Sequence, residues 1–549
     1  MLSDLSASNS LLRAEALISP WEVIPNYFFL IYAILTFILL IALPTSRTRL
    51  SLFFISLHYF LTLAVAVIVY KIGYGFDPFI HQATERLISE TGAVMPKPFY
   101  YLGQYSLIVI FYKITTLSLV WLDKLLVPFL TAIFLPSAIW QFLSKWFDNK
   151  KNNLLTLVVI LILPISLFII TTPQNLAYLF LILTILYGLT CSNMPELAAT
   201  YLLAITSFFI HPIAGIPAIL FTIALHIYYN DKLKLKKYLY GIIFILASII
   251  LPIIFYFIGK SSNAEGAIPT TFFSWPKLIV PGQENFILNF IYFYGFNLKI
   301  IISLLAILGI IIACRHRKVC KIFFISLGGA IAMFIAYFLT NKLSFSFLID
   351  YERNNYSERL LILAIIFLIP FILTTFYNLI EKNKEQNELI KIIVLIFLII
   401  LITTSLYLTY PRWDRYYNAR GLSTDDTGIM AVNWIEQDAK GDYIVLTNQQ
   451  VSAAALHEFG FKKYYKKDIF YYPIPTSSPL YQYYLDMVYK KPTKETMIEA
   501  IDLVGVNQAY FILNKYWWAF PKILAEAKLE ADFWVEIDQG EIYIFKYER

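Results

Sequence analysis

The stretch Asn26–Pro44, NYFFLIYAILTFILLIALP, is followed after a short basic turn by Ser51–Tyr70, SLFFISLHYFLTLAVAVIVY. Each is an apolar run of about 20 residues, the length of helix that crosses a hydrocarbon layer ~30 Å thick. The rest of the chain has the same character. Of 549 residues, 59% are hydrophobic, 17% aromatic and only 15% charged, and the mean hydropathy is +0.64. A soluble protein carries about 25% charged residues, so a water-soluble enzyme is excluded. The net charge of +7, from 44 basic and 37 acidic residues, calls for no nucleic acid, because basic residues gathered on one membrane face give the same excess.

Working outward, twelve spans are expected near 26–44, 51–70, 125–143, 154–170, 175–191, 196–210, 213–229, 238–258, 298–314, 321–340, 359–380 and 390–409. The apolar segment 101–120 carries Lys113 and is read as a juxtamembrane or re-entrant helix. With that choice, alternate short loops hold Arg47 and Arg49; Lys145, Lys150 and Lys151; Lys232, Lys234, Lys236 and Lys237; Arg315, Arg317, Lys318 and Lys321; and Lys382, Lys384 and Lys391. The positive-inside rule makes these loops cytoplasmic. It places the loops 71–124, 259–297 and 341–358, and everything after Tyr410, outside the cytoplasm. A plasma (inner) membrane location follows, with the first apolar run a retained anchor. Cys191, Cys314 and Cys320 lie in or beside apolar spans, so neither a disulfide framework nor a cysteine metal site is implied.

The chain changes character at Pro411, dividing a membrane domain (1–410) from a polar domain (411–549). Asp442–Thr447 and Gln508–Leu513 read as strands and Lys494–Val504 as a helix, with a hairpin over Phe533–Tyr547 turning at Gln539-Gly540. The fold class expected is a polytopic α-helical membrane protein with a small extracytoplasmic α/β domain. The cluster Lys462, Lys463, Lys466, Lys467 is read as a solvated face. Trp275, Tyr292 and Tyr294 read as interfacial aromatics or as parts of a flap over the site, formed by the loop 259–297.

Apart from His58 and His226, the spans are nearly free of ionisable groups, which argues against an ion-coupled carrier. Chemistry is sought at the outer rim. After the second span comes Gly73-Tyr74-Gly75-Phe76-Asp77-Pro78-Phe79-Ile80-His81-Gln82-Ala83-Thr84-Glu85. Pro78 suits the first turn of a helix and Asp77 its N-cap. His81 and Glu85 then follow Asp77 at i+4 and i+8 on one face. The group could supply a general base or ligands to a divalent cation; alternatively Asp77 only caps the helix and its neighbours are solvated. His211-Pro212, between the sixth and seventh spans, either tilts His211 toward Asp77 or merely ends a helix.

The string Asp77-Pro78-Phe79 with Ala83-Thr84-Glu85 resembles the first external loop of the oligosaccharyltransferase catalytic subunit, in the GT-C membrane glycosyltransferase superfamily. The many spans, long first external loop and external α/β domain resemble that superfamily as well. The resemblance implies that Asp77 is a base or metal ligand beside the acceptor, with magnesium or manganese as the cation. Ligands completing such a site would come from His81, His211, Glu265 or Glu284. It also implies that an arginine at the outer end of a late span, Arg359 or Arg353, holds the phosphate of a lipid-linked donor, since guanidinium forks match phosphate oxygens. An arginine that snorkels to the headgroups is the other reading. Two departures limit the match. Thr447–Val451 stands where the relative has Trp-Trp-Asp-Tyr-Gly, and the second loop, Thr171–Asn175, lacks the acidic pair. Transfer to asparagine is therefore not expected. The expectation is transfer of a sugar from a polyprenyl-phosphate carrier to a protein, glycan or lipid acceptor. The rivals are a non-catalytic binder of lipid-linked sugar and a lipid or polysaccharide transporter.

Overall fold

Backbone groups inside hydrocarbon have no water to bond, so apolar runs satisfy them by coiling. The computed structural model describes residues 14–94, 101–230, 232–261, 277–282, 285–315, 317–343, 355–419, 421–466 and 469–549, and in it the apolar runs are helical. Among the described residues, seven helices are long and apolar enough to cross a membrane: Leu119–Trp146, Pro212–Tyr229, Lys236–Phe257, Leu298–Arg315, Lys321–Thr340, Asn355–Asn383 and Glu388–Thr409. Shorter apolar helices, Tyr27–Ala42, Thr48–Leu63, Pro173–Gly188, Met194–Ile210 and Phe286–Phe296, accompany them. These helices mark a multi-pass membrane protein.

Two segments depart from uniform spans. The run 154–170 is broken: an α-helix over Lys150–Val159 gives way to 3-10 turns at Ile160–Ile162 and Ser166–Phe168. Pro164, between the turns, has no N–H to continue a helix. The segment 101–120 divides into the helix Leu102–Thr115, stopped at Thr116 in a left-handed conformation (φ 57°), and the start of Leu119–Trp146. Fourteen residues rise only about 21 Å, short of a ~30 Å core. This helix packs on Asp77–Thr91, Leu119–Trp146 and Met194–Ile210. Leu119–Trp146 also begins earlier than its apolar run, and so takes Asp123 and Lys124 into a spanning helix. That corrects the expectation that such carboxylates are missing from the spans.

The polar domain is built on a four-stranded sheet of order β1-β4-β6-β5, with β1 Tyr443–Leu446, β4 Gln508–Asn514, β5 Phe533–Ile537 and β6 Ile542–Glu548. The short strands β2 (Tyr464–Tyr465) and β3 (Ile469–Phe470) form a separate antiparallel pair. β1 runs parallel to β4, while β6 is antiparallel to β4 and β5. Alternate side chains face opposite sides of the sheet. Val445, Tyr510, Ile512 and Ile544 enter one core with Val432, Ile435 and Leu456. Ile444, Phe511, Leu513 and Phe545 enter the other with Met487, Met497 and Ile501. The hairpin turns through Asp538, Gln539 and Gly540, all at positive φ.

The first core also contains Phe79, Ile80 and Ala83. The helix Asp77–Thr91 is therefore clamped to the polar domain along its buried face, against the helix Gln449–Phe459. Arg86 Nη1 adds a bond to the His457 carbonyl at 3.0 Å. The segment before the first membrane helix is tied to the segment after the last. Ala14 N donates to Asp426 Oδ2 at 2.8 Å, Ser423 N to the Leu17 carbonyl at 2.9 Å, and Ser19 Oγ to the Pro411 carbonyl at 2.8 Å. Tyr292 and Tyr294 are buried rather than interfacial, their hydroxyls donating to Asp414 and to the Ile162 carbonyl. In the lysine cluster Lys462 pairs with Glu436, and Lys463 with Asp442 at 3.5 Å. Partly exposed pairs of this kind contribute at most about 1 kcal/mol each. Trp275 and Lys467 lie outside the described residues.

Candidate functional site

The helix expected to open at Asp77 does so, but with a different cap. Phe76 is the N-cap, Asp77 the first helical residue and Pro78 the second, and no side chain caps the end. Asp77 is exposed. A carboxylate in the first turn still meets the helix dipole favourably. One and two turns on, His81 and Glu85 are buried rather than solvated. Asp77 thus stands at the lip of a polar cluster whose interior the other two enter.

Glu85 lies in the cluster with Gln82, Gln104 and Asp123, all buried. Gln82 Nε2 donates to Asp123 Oδ2 at 2.8 Å. The Gln104 amide bridges the carboxyls, 3.3 Å from Glu85 Oε1 and 3.4 Å from Asp123 Oδ1. Glu85 Oε2 and Gln104 Oε1 are buried without hydrogen-bond partners among the described residues. Two ionised carboxylates in such a dry site repel and lack solvation. Burial first, and Asp123 second, push the Glu85 carboxyl well above its ordinary range, against the pull of the Gln104 bond. Protonation makes Glu85 a donor, which relieves the shortage of protons in a cluster rich in acceptors. A cavity of about 30 Å³ reaches Asp123 between Pro78, Gln82 and Thr171.

A second arm runs toward the late spans. His81 Nδ1 is 2.9 Å from Tyr105 Oη. The Tyr101 ring stands 5.6 Å from His81 and 5.2 Å from His211. Two glycines permit this approach: a Cβ on Gly103 would lie 2.8 Å from the Ile210 nitrogen, and one on Gly215 would lie 2.0 Å from Phe208 Cα. Any side chain at either position would force the segments apart. His211 ends the helix Met194–Ile210 and caps Pro212–Tyr229, its Nδ1 accepting from Ile213 N at 3.2 Å. His211 thus terminates a helix, and its ring also faces Tyr101. Burial, with the Arg359 charge second, pulls the His211 imidazole down to about 3. It is neutral at physiological pH, with Nδ1 as acceptor, so its proton is on Nε2.

Arg359, near the N-terminus of Asn355–Asn383, is half-buried, its guanidinium 5.3 Å from the Tyr356 ring. Its charge also reaches Tyr178, whose hydroxyl accepts from Gln174 Nε2 at 2.9 Å. Ring contacts therefore connect His81, through Tyr101, to His211, where the Arg359 charge is felt, and Glu85 sits one turn from His81 on the same helix. Arg353, Glu265 and Glu284 lie outside the described residues. Among the described residues no three metal-ligating side chains gather, and His81 is turned to Tyr105 rather than to a ligand set with Asp77.

Asp123, Gln82, Gln104 and Tyr101 were not legible as site residues from spacing. The one available signal was Asp123, a carboxylate at the edge of an apolar span. No protein-family model and no curated protein matches the chain.

Proposed function

We propose that the chain is a GT-C-like glycosyltransferase with twelve spans, using a polyprenyl-phosphate-linked sugar at the outer membrane surface. The observation that carries the reading is the pair of ring contacts that sets Tyr101 between His81 of the first-loop helix and His211. A neutral imidazole donor within the field of the Arg359 charge suits a phosphate leaving group. Asp77, water-accessible at the lip of this cluster, takes the proton of an acceptor hydroxyl. The hydroxyl oxygen bonds to the anomeric carbon from the face opposite the phosphate. The anomeric carbon–oxygen bond to the phosphate breaks with inversion, and the lipid phosphate leaves with that electron pair. A lipid-carried donor fits a reaction outside the cytoplasm, where nucleotide sugars are absent.

The test is transfer from radiolabelled polyprenyl-phosphate sugars by the purified full chain in a bilayer. Asp77→Asn and Arg359→Ala should abolish transfer without loss of folded protein; full activity in Asp77→Asn discards its role as base. The exposure of Asp77 outside the buried cluster favours one second reading, a binder of lipid-linked sugar without transfer. Saturable donor binding by wild type with no product from any donor would select that reading.

A further inference from the structure

The sheet of the polar domain ends in β1 on one side and β5 on the other, and the fold treats these edges differently. β1 is covered. All its residues are buried, and Val445 N donates to the Tyr471 carbonyl at 2.9 Å. Tyr465 Oη accepts from Tyr443 N at 3.1 Å and donates to the Tyr443 carbonyl at 3.0 Å. β5 pairs with β6 alone, and among the described residues no backbone group bonds to its outer side. A bare edge is a template for another strand, and chains commonly blunt it with lysine or proline. Phe533-Trp534-Val535-Glu536-Ile537 contains neither. Phe533 and Trp534 are 50% and 39% exposed, which puts two large rings at the rim of a polar domain.

Alternation sorts the side chains of β5 onto two faces. Phe533, Val535 and Ile537 lie on the face of the first core, the Phe533 ring stacked on Trp434 at 6.3 Å. Trp534 and Glu536 lie on the other face beside Tyr543, whose hydroxyl donates to Glu536 Oε2 at 3.0 Å. Lys528, on the helix Phe520–Glu530, holds its ammonium 3.7 Å from the centre of the Trp534 ring. Its contacts are with the Trp534 and Tyr543 rings, and among the described residues no carboxylate pairs with it.

We infer that β5 is a dimerisation edge, at which two copies of the chain pair antiparallel about a two-fold axis through Val535 and continue one sheet into the other. That register sets Val535 against the partner's Val535 and Phe533 against the partner's Ile537, an apolar row on one face. On the other face Trp534 stands against the partner's Glu536. Lys528, poised over Trp534, then meets that carboxylate, and symmetry makes the contact twice. The axis is perpendicular to the sheet, so each face stays on its own side. The face that clasps Phe79, Ile80 and Ala83 of the helix Asp77–Thr91 therefore points the same way in both copies, as two chains in one bilayer require. A second copy supplies both the bare edge and the charge complement. The inference does not depend on any transfer reaction.

The test places fluorescently labelled full chain in lipid vesicles and counts dimers by stepwise photobleaching as protein density rises. Wild type should dimerise with density. Glu536→Lys and Lys528→Glu should each weaken association about tenfold by opposing like charges, and the double swap should restore it. An unchanged melting temperature at low density certifies that the variants fold. With Cys191, Cys314 and Cys320 replaced by alanine, Val535→Cys should cross-link to its own copy under mild oxidation. Monomers at every density overturn the inference, as do dimers indifferent to the charge reversals or dimers that Val535→Cys fails to cross-link. So does protection of every β5 amide from hydrogen exchange in the dilute monomer, which marks an edge already occupied by the chain itself.

Discussion

Tyr101 and His211 face each other with ring centroids 5.2 Å apart and planes tilted by 41°. That contact joins the helix Leu102–Thr115 and its preceding residue to a turn between two apolar helices. It makes His211 both a cap and a wall of the cluster. His211→Asn keeps a capping acceptor, while His211→Ala removes it and should cost about 1 kcal/mol. The imidazole is depressed to about 3, so the unfolded chain binds its proton first. Stability should fall as pH drops from about 6.5 towards 3, and the Asn variant should lack that slope. Thermal unfolding across this range checks both.

Glu85 predicts the opposite slope. Its folded carboxyl is raised well above the ordinary range, so the folded state keeps a proton that the unfolded chain has released. Stability should be full below the usual carboxylate pKa and decline as pH rises through the raised value. Glu85→Gln should flatten that dependence and be tolerated at neutral pH. Glu85→Ala should cost about 1–3 kcal/mol by stranding the Gln104 amide. Melting curves at several pH values distinguish the two variants.

Arg359 offers a planar fork that lysine cannot reproduce. Arg359→Lys should retain less than about a tenth of donor-dependent transfer, on the scale of one lost charged hydrogen bond. The loss should appear chiefly as a raised KM for donor. An unchanged KM and kcat would remove Arg359 from phosphate binding.

The docking of Asp77–Thr91 onto the polar domain rests on Phe79, Ile80 and Ala83. Ala83 is buried, so Ala83→Lys forces a charge into that seam at a cost of several kcal/mol. The variant should release the domain to protease near Pro411 and lose transfer, with membrane insertion intact. Limited proteolysis reads the first effect directly.

Apolar length revealed the membrane helices, and alternation revealed the sheet of the polar domain, because each depends on a period of 3.6 or 2 that one sequence displays. The helix Lys494–Val504 has the expected ends because Thr493 and Gly505 stop it locally. Candidates such as His81 and His211 were legible as polar residues flanking apolar runs. Their connection was not, since Tyr101 is one of 40 tyrosines and its role depends on the close approaches at Gly103 and Gly215. Asp77 was read as a cap from its place before Pro78, yet the helix admits it as a first residue. Asp123 was hidden because the apolar run was begun two residues after it.

The bonds joining Ala14, Leu17 and Ser19 to Asp426, Ser423 and Pro411 have a consequence for assembly. Their two halves emerge from the ribosome almost 400 residues apart, so the seam can close only after every intervening helix is inserted. A chain halted before Pro411 leaves the Ala14 N–H, the Ser19 hydroxyl and the Leu17 carbonyl without these partners. The clasp can thereby form only on a chain synthesised past Asp426.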